Sequence, residues 1–130
     1  MPTIKIFHTD NIDISAKLDD FTKVTHTKLV EIIATDIHTC RTLVYPCSSY
    51  RVGLDSKYDA YIELDIAILP GRSPELRKKL GEILLKDLRE LCNDNNGVSI
   101  DFRVAVSDTD TEFYFGLSWL GLTKTNDLKP

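Results

Sequence analysis

The sequence predicts an α/β fold, α+β in stricter usage, built from two β-α-β units in tandem. Two patterns carry this prediction. Apolar and polar residues alternate in four short segments, as in half-buried strands, and apolar residues recur every three to four positions in two longer segments, as in amphipathic helices. The order of these segments predicts a four-stranded mixed sheet with both helices on one face and a right-handed crossover within each unit.

Length and composition are those of one globular domain. The chain has 130 residues, of which 42% are hydrophobic and 28% are charged. A chain of this length builds one core rather than two. We therefore expect a single domain over residues 1–130, with β-α-β units at about 2–46 and 58–107 and a C-terminal extension over 108–130.

The first unit begins almost at the N-terminus. Alternation over residues 3–8 predicts a strand, and a helical apolar period predicts a helix over about 17–35. Residues 40–45 have strand propensity, and Pro46 either stops this strand or places it at a sheet edge. A connecting segment then leads to the second unit.

The second unit contains the clearest periods in the chain. Alternation over residues 58–68 predicts a strand. Ser73 is suited to cap a helix and Pro74 to occupy its first position, and the helix runs until the Asn- and Gly-rich segment 93–97. Alternation over 98–106 predicts the fourth strand.

Two further expectations concern the C-terminus and the sheet face turned away from the helices. Residues 113–115 predict a short fifth strand, and the tail after Gly121 is polar, so we expect it to be loose. The outer sheet face is predicted to carry Lys5, Phe7, Tyr61 and Arg103. Because this face is partly apolar, we expect a subunit interface to cover it.

Charge and hydropathy exclude several classes of partner. Sixteen Lys and Arg against twenty Asp and Glu give a net charge of −4 and a pI near 5.3. This balance disfavours nucleic acid, which selects basic surfaces. No run of 18 apolar residues and no basic or apolar leader occurs, so we expect no membrane partner and a cytoplasmic location.

Cysteine and histidine spacing does not predict a metal site. The three cysteines have no C-x-x-C spacing, and an odd number favours a reducing compartment over a disulfide framework. The three histidines show no H-E-x-x-H or similar ligand spacing. We therefore predict no metal.

Pro2 is a candidate base because it follows the initiator Met at the head of a strand. Removal of Met1, which is usual before a small second residue, would leave a secondary amine. An apolar pocket or a neighbouring Arg would lower the pKa of its conjugate acid towards neutrality and create a base at pH 7. Taken alone, Met-Pro is also an ordinary way for a chain to begin.

Three arginines are candidate ligands for a carboxylate. Arg72 lies in a Gly-Arg-Ser-Pro turn between a strand and the N-terminus of a helix, both favourable to an anion. Arg41 and Arg103 lie within the second and fourth strands, at matching places in the two units. Taken singly, each is more often a solvated or salt-bridged surface cation.

Several of these segments together resemble a known family. Residues 1–11, the Arg41 strand and residues 67–82 are similar to 5-carboxymethyl-2-hydroxymuconate isomerase, of the tautomerase superfamily. The likeness covers about residues 2–107 in matching order and spacing. A strand that runs into Gly-Arg-Ser and then a helix is also similar to 4-oxalocrotonate tautomerase, whose short chain corresponds to one unit.

The resemblance implies a tautomerase-like homotrimer that uses an amino-terminal proline as general base. Pro2 matches the catalytic proline, and Arg41 and Arg72 match family arginines near the active site. Arg103 matches a strand arginine of the short tautomerases, and Phe115 resembles their apolar phenylalanine near the proline. The resemblance thus implies a site of Pro2 with four substrate-binding residues.

The implied activity is cofactor-independent keto–enol tautomerisation of a small unsaturated 2-hydroxy or 2-oxo carboxylic acid, similar to 5-carboxymethyl-2-hydroxymuconate, in the catabolism of aromatic compounds. Leu43 stands where the isomerase has a second basic residue, so the substrate need not be the same. Two alternatives stay open. One is another proline-based reaction, such as hydration or dehalogenation of an unsaturated acid, and the other is a non-enzymatic trimeric protein that binds small acids.

Overall fold

The computed structural model of the chain describes residues 1–55 and 57–121. The described residues form four strands: β1 (Thr3–Thr9), β2 (Arg41–Cys47), β3 (Ala60–Ile68) and β4 (Ile100–Asp108). The helices are α1 (Leu18–Ile33) and α2 (Pro74–Leu91), with short 3₁₀ turns at Ile37–Thr39 and Thr111–Phe113. No described helix is long and apolar enough to cross a membrane.

The strands form one mixed sheet in the order β2-β1-β3-β4. Within each unit the two strands are parallel, β1 with β2 and β3 with β4. The central pair, β1 and β3, is antiparallel, so the two units meet side by side in opposite directions. This confirms the predicted α/β fold of tandem β-α-β units with a four-stranded mixed sheet.

Strand alternation creates the core. Every second residue of β1 and β3 is fully buried beneath the helices, including Ile4, Ile6, Ile62, Leu64 and Ile66. Leucines of the amphipathic helices close over them, at positions 29, 80, 84 and 88. Each such side chain contributes about 1.5–3 kcal/mol by leaving water, so the core fixes which sheet face the helices cover.

The start of α2 confirms the predicted capping signal. The Ser73 hydroxyl accepts a hydrogen bond from the Leu76 amide at 3.1 Å, and Pro74 occupies the first helical turn. The C-terminal end of α1 is also capped: Ala34 has φ 52°, and its amide donates to the Val30 carbonyl oxygen at 3.1 Å. This left-handed residue turns the chain away from the helix axis towards β2.

The structure corrects the predicted fifth strand. Residues 113–115 form no strand in the described part of the chain, because Asp110 accepts a hydrogen bond from the Glu112 amide at 3.0 Å and shapes the turn Thr111–Phe113. Pro46 lies inside β2, and β2 is an edge strand, where a residue without an N–H is tolerated. The predicted loose tail beyond Gly121 lies outside the described residues.

The sheet face opposite the helices is called here the open face. It carries Lys5, Phe7, Tyr61 and Arg103, as predicted from alternation. The rings of Phe7 and Tyr45 stack with their centroids 4.9 Å apart. Tyr45 and the neighbouring Leu43 of the same strand are among the exposed large hydrophobic residues, so the open face presents apolar surface in the single chain.

Candidate active site

Pro2 is buried at the head of β1, where the first residues are held by backbone contacts on two sides. The Met1 amino group donates to the Thr39 carbonyl oxygen at 3.0 Å, and the Met1 carbonyl oxygen accepts from the Thr35 hydroxyl at 3.0 Å. The Arg41 amide donates to the Pro2 carbonyl oxygen at 3.2 Å. The end of α1 and the start of β2 thus fix the proline in place.

A cavity of about 510 Å³ opens at this end of the open face. Met1 and Thr3, on either side of Pro2, both line it. Polar and aromatic side chains complete its wall, among them Lys5, Arg41, Asp65 and Tyr114. The proline is therefore next to a space large enough for a small organic acid.

The cavity is electropositive beside the N-terminus. Burial lowers the pKa of the Met1 ammonium, and the positive charge of Arg41 lowers it further. No described residue forms a salt bridge with Arg41 or Lys5. The cavity can therefore offer two cations to an anion, in surroundings that disfavour a further positive charge.

One phenol group and two carboxyl groups extend from the cavity across the middle of the open face. Tyr61 donates a short hydrogen bond to Glu63, and the Glu63 and Asp65 carboxyls are hydrogen-bonded to each other. Burial, followed by the hydrogen bond with Glu63, raises the pKa of Asp65 to about 6. Hydrogen bonds from Tyr61 and Asp65 lower the pKa of Glu63.

Arg72 lies in a structural contact rather than in the cavity wall of the single chain. Its guanidinium donates to the Leu69 carbonyl oxygen at 2.9 Å and to the Ile33 carbonyl oxygen at 2.8 Å. It thereby connects the turn after β3 with the last turn of α1. Two of its five N–H donors are used in these bonds, and the other donors have no partner among the described residues.

Arg103 and Phe115 also lie outside the cavity of the single chain. Arg103 is on the open face of β4, with its Nε 3.2 Å from Asp101. Phe115 follows the last 3₁₀ turn and is 86% exposed. The structure therefore brings Pro2 and Arg41 together in one chain, and leaves Arg72, Arg103 and Phe115 at other positions.

Sequence reasoning missed Lys5, Asp65 and Tyr114 as cavity residues. Lys5 was assigned to the open face by alternation, and the same alternation places Asp65 there. Their pairing depends on the β1–β3 register, in which Lys5 lies opposite Asp65. Tyr114 carried no signal beyond its place in an aromatic run, because its position depends on the turn before it.

Two of the histidines make hydrogen-bond contacts outside the cavity. One ring nitrogen of His8 lies 2.8 Å from the Thr9 carbonyl oxygen, and one of His26 lies 2.8 Å from the Thr42 hydroxyl. Burial raises the pKa of the Cys92 thiol to about 11 and also raises that of Cys40. Raised thiol pKa values oppose formation of a thiolate nucleophile at neutral pH.

The tandem β-α-β units and their four-stranded mixed sheet form a tautomerase-like fold, with a cavity beside Pro2. The family model of 5-carboxymethyl-2-hydroxymuconate isomerase matches residues 2–113, so the chain belongs to this family and is an isomerase. This confirms the resemblance found in the sequence. No curated protein matches the chain.

Solved structures share the fold at low sequence identity. A 5-carboxymethyl-2-hydroxymuconate isomerase from Deinococcus radiodurans R1 has TM-score 0.76 and 19% identity, with 89% of this chain and 88% of that chain covered. A 5-carboxymethyl-2-hydroxymuconate delta-isomerase has TM-score 0.74 and 16% identity, with 98% of this chain and 95% of that chain covered. A Q0 fused 4-OT wild-type symmetric trimer has TM-score 0.70 and 15% identity, with 96% of this chain and 99% of that chain covered.

Proposed function

We propose that the protein is a cofactor-independent keto–enol tautomerase of a small unsaturated 2-hydroxy or 2-oxo carboxylic acid similar to 5-carboxymethyl-2-hydroxymuconate. The Pro2 nitrogen, freed by removal of Met1, takes the proton of the enol oxygen. The electrons of that O–H bond form the C=O bond, and the displaced π electrons take the same proton from Pro2 at a carbon atom. Atoms and charge balance without an oxidant or reductant.

The observation that carries the proposal is the position of Pro2 between two cavity residues, Met1 and Thr3. Removal of Met1 would uncover the proline nitrogen at the cavity, in surroundings where burial and Arg41 lower the pKa of an ammonium group. An amine with a pKa near neutrality is free to accept a proton at pH 7 and is acidic enough to return it. Arg41 would bind a substrate carboxylate from the wall of the same cavity.

The other predicted ligands fit this proposal in two different ways. Arg72 retains unused N–H donors after it binds the carbonyl oxygens of Leu69 and Ile33, and these support a role towards a second carboxylate. Arg103 and Phe115 lie on surfaces that a second copy of the chain would cover. We propose that they contribute to the site of a neighbouring subunit.

We propose a homotrimer. The open face carries the stacked Phe7 and Tyr45 next to exposed Leu43, and the segment after β4 exposes Phe115 and Trp119. Such a concentration of apolar surface is typical of an interface. A fused 4-OT with the same fold forms a symmetric trimer, which supports this number of subunits.

The proposed setting is the cytoplasm, where the catabolism of aromatic compounds would supply an unsaturated acid. The three cysteines are free thiols, as a reducing compartment favours. The acidic charge balance disfavours nucleic acid as a partner.

The decisive experiment compares the mass of the N-terminal peptide with the activity of the same preparation. We expect loss of Met1 and a steady ultraviolet change as a 2-hydroxymuconate-type dienol is converted to its conjugated ketone. Processed protein that binds the acid without changing its rate of ketonisation would overturn the proposal and indicate a small-acid-binding protein.

A further inference from the structure

Asp65 occupies a particular place in the cavity, because it joins the cavity wall to a line of hydrogen-bonded groups. Tyr61, Glu63 and Asp65 are every second residue of β3 and share the open face. Tyr61 donates to Glu63, and the Glu63 and Asp65 carboxyls hydrogen-bond to each other. Two carboxyl groups can make this bond only while they hold a proton between them.

The groups that face Asp65 come from each neighbouring element. Lys5 of β1 lies directly opposite Asp65, and Ala105 of β4 lies opposite on the other side. Arg41 and the Met1 amino group line the same cavity. The cations Lys5 and Arg41 thus share the cavity wall with one acidic side chain, Asp65.

Groups around the Glu63 end of the line favour a charge on Glu63 rather than on Asp65. Arg103 of β4 lies opposite Glu63, and its own guanidinium is bonded to Asp101. Tyr61 donates its phenolic proton to Glu63. Lys5 lowers the pKa of Asp65, but burial and Glu63 raise it more strongly, and the Asp65 Oδ1 is buried with no hydrogen-bond partner among the described residues.

It follows that Asp65 holds the shared proton. A protonated Asp65 presents a neutral wall to a bound acid, whereas loss of the proton adds a second negative charge beside Glu63. At roughly 6 Å, Coulomb's law with an effective dielectric constant of about 20–80 makes one such charge weaken an anion's binding about 3- to 100-fold. The state of one carboxyl therefore controls how well the cavity accepts an anion.

We infer that Asp65 determines the affinity of this cavity for dicarboxylates, binding them more tightly while it shares a proton with Glu63 than after that proton is lost. The inference rests on the proposed function, since it concerns the same cavity. It predicts tightening as the pH falls through about 6, the pKa to which burial and Glu63 raise Asp65.

The test is calorimetric titration of the processed protein with fumarate, an unreactive unsaturated dicarboxylate, from pH 5.5 to 7.5. We expect the Kd of the native protein to rise with pH by about threefold or more beyond any rise in Asp65→Asn. The comparison of the two proteins removes the contribution of every other group that changes its charge over this range. Asp19→Asn is the matched control, because Asp19 is exposed on α1, on the opposite side of the sheet, and does not line the cavity, and it should keep the native pH dependence.

A second variant makes the same test without removing Asp65. Glu63→Gln removes the negative charge next to Asp65 and leaves Lys5 opposite it, so the pH dependence of fumarate binding should move to lower pH. Light scattering and circular dichroism verify assembly and folding of each variant. If Asp65→Asn does not fold, the test rests on Glu63→Gln, and an unchanged pH dependence of fumarate binding in that variant would overturn the inference.

The outcomes separate this inference from the proposed function. Tautomerase activity combined with equal pH dependence of fumarate binding in the native protein and Asp65→Asn would overturn the inference and leave the proposed function standing. The expected difference in binding without any tautomerase activity would support the inference and overturn the proposed function. Absence of fumarate binding at every pH would overturn the inference.

Discussion

The amide of Arg41 donates to the carbonyl oxygen of Pro2 at 3.2 Å, across 39 positions of the sequence. This bond belongs to the first register pair of the parallel strands β1 and β2, Thr3 with Arg41. The predicted base and the predicted carboxylate ligand therefore lie at the same end of adjacent strands. Variants of the two residues should have distinct kinetic effects.

The first prediction concerns the nitrogen of Pro2. One additional residue before Pro2 in the processed protein should lower kcat/KM by about 10²–10⁴-fold, because an amide nitrogen cannot act as the base. Pro2→Ala should retain partial activity, since an α-amino group has a pKa of about 7.7–8.0 in model peptides. Steady-state ketonisation rates measure both effects. Equal rates for the extended and processed proteins would show that the base lies elsewhere.

The second prediction concerns Arg41 as a carboxylate ligand. Arg41→Ala should lower kcat/KM by about 10- to 100-fold, the usual range for loss of a charge-assisted hydrogen bond of about 1.5–3 kcal/mol. Arg41→Lys should recover part of this loss, because it keeps the charge but not the bidentate geometry. Arg51→Ala is a suitable control, as Arg51 lies in the β2–β3 connection and lines a different cavity. Native kinetics in Arg41→Ala would remove Arg41 from the site.

The third prediction concerns Arg72, for which the sequence indicates substrate affinity and the structure indicates a structural bond. Arg72→Ala should raise KM more than it lowers kcat, and should also destabilise the fold by about 1–3 kcal/mol because the Ile33 and Leu69 carbonyl oxygens lose their donor. Urea unfolding measures the stability. Arg51→Ala is the control, since Arg51 is exposed and forms no salt bridge with any described residue. A change in stability with native KM would restrict Arg72 to the structural role.

The fourth prediction concerns assembly through the open face. The native protein should be a trimer by light scattering at micromolar concentration. Tyr45→Lys should shift it towards monomer, because a charge would then lie beside the ring of Phe7 within the proposed interface. Val24→Lys is the control, since Val24 is exposed on α1, on the opposite side of the sheet. Unchanged trimer in Tyr45→Lys would indicate that another surface forms the interface.

The fifth prediction concerns the dependence of stability on pH. Asp65 has a pKa of about 6 in the folded chain against an ordinary value of 3.8, so the folded state binds its proton more tightly than the unfolded state. Stability from this group is present below pH 3.8 and is lost as the pH rises through about 6. Asp65→Asn should therefore gain Tm relative to the native protein between pH 4 and pH 7. A Tm difference that is constant over this range would contradict the prediction.

Local patterns in the sequence were sufficient for the elements of the fold. Alternation over residues 58–68 and the Ser73-Pro74 signal predicted β3 and the start of α2, because each depends on residues within a few positions of one another. The run at 113–115 predicted a strand wrongly. A strand requires a partner as well as propensity, and the Asp110 cap diverts this segment into a turn.

For the site too, local patterns predicted the place of single residues, whereas contacts between distant strands required the structure. The sequence by itself determined that Pro2 heads a strand, that Arg41 lies in another, and that Lys5 faces away from the core. Only the tertiary structure decided that β1 pairs antiparallel with β3, which brings Lys5 opposite Asp65 and places both in the cavity beside Pro2. The period of apolar residues in the sequence predicts which face of its own strand or helix a residue occupies. Pairing between distant strands depends on how the whole core packs.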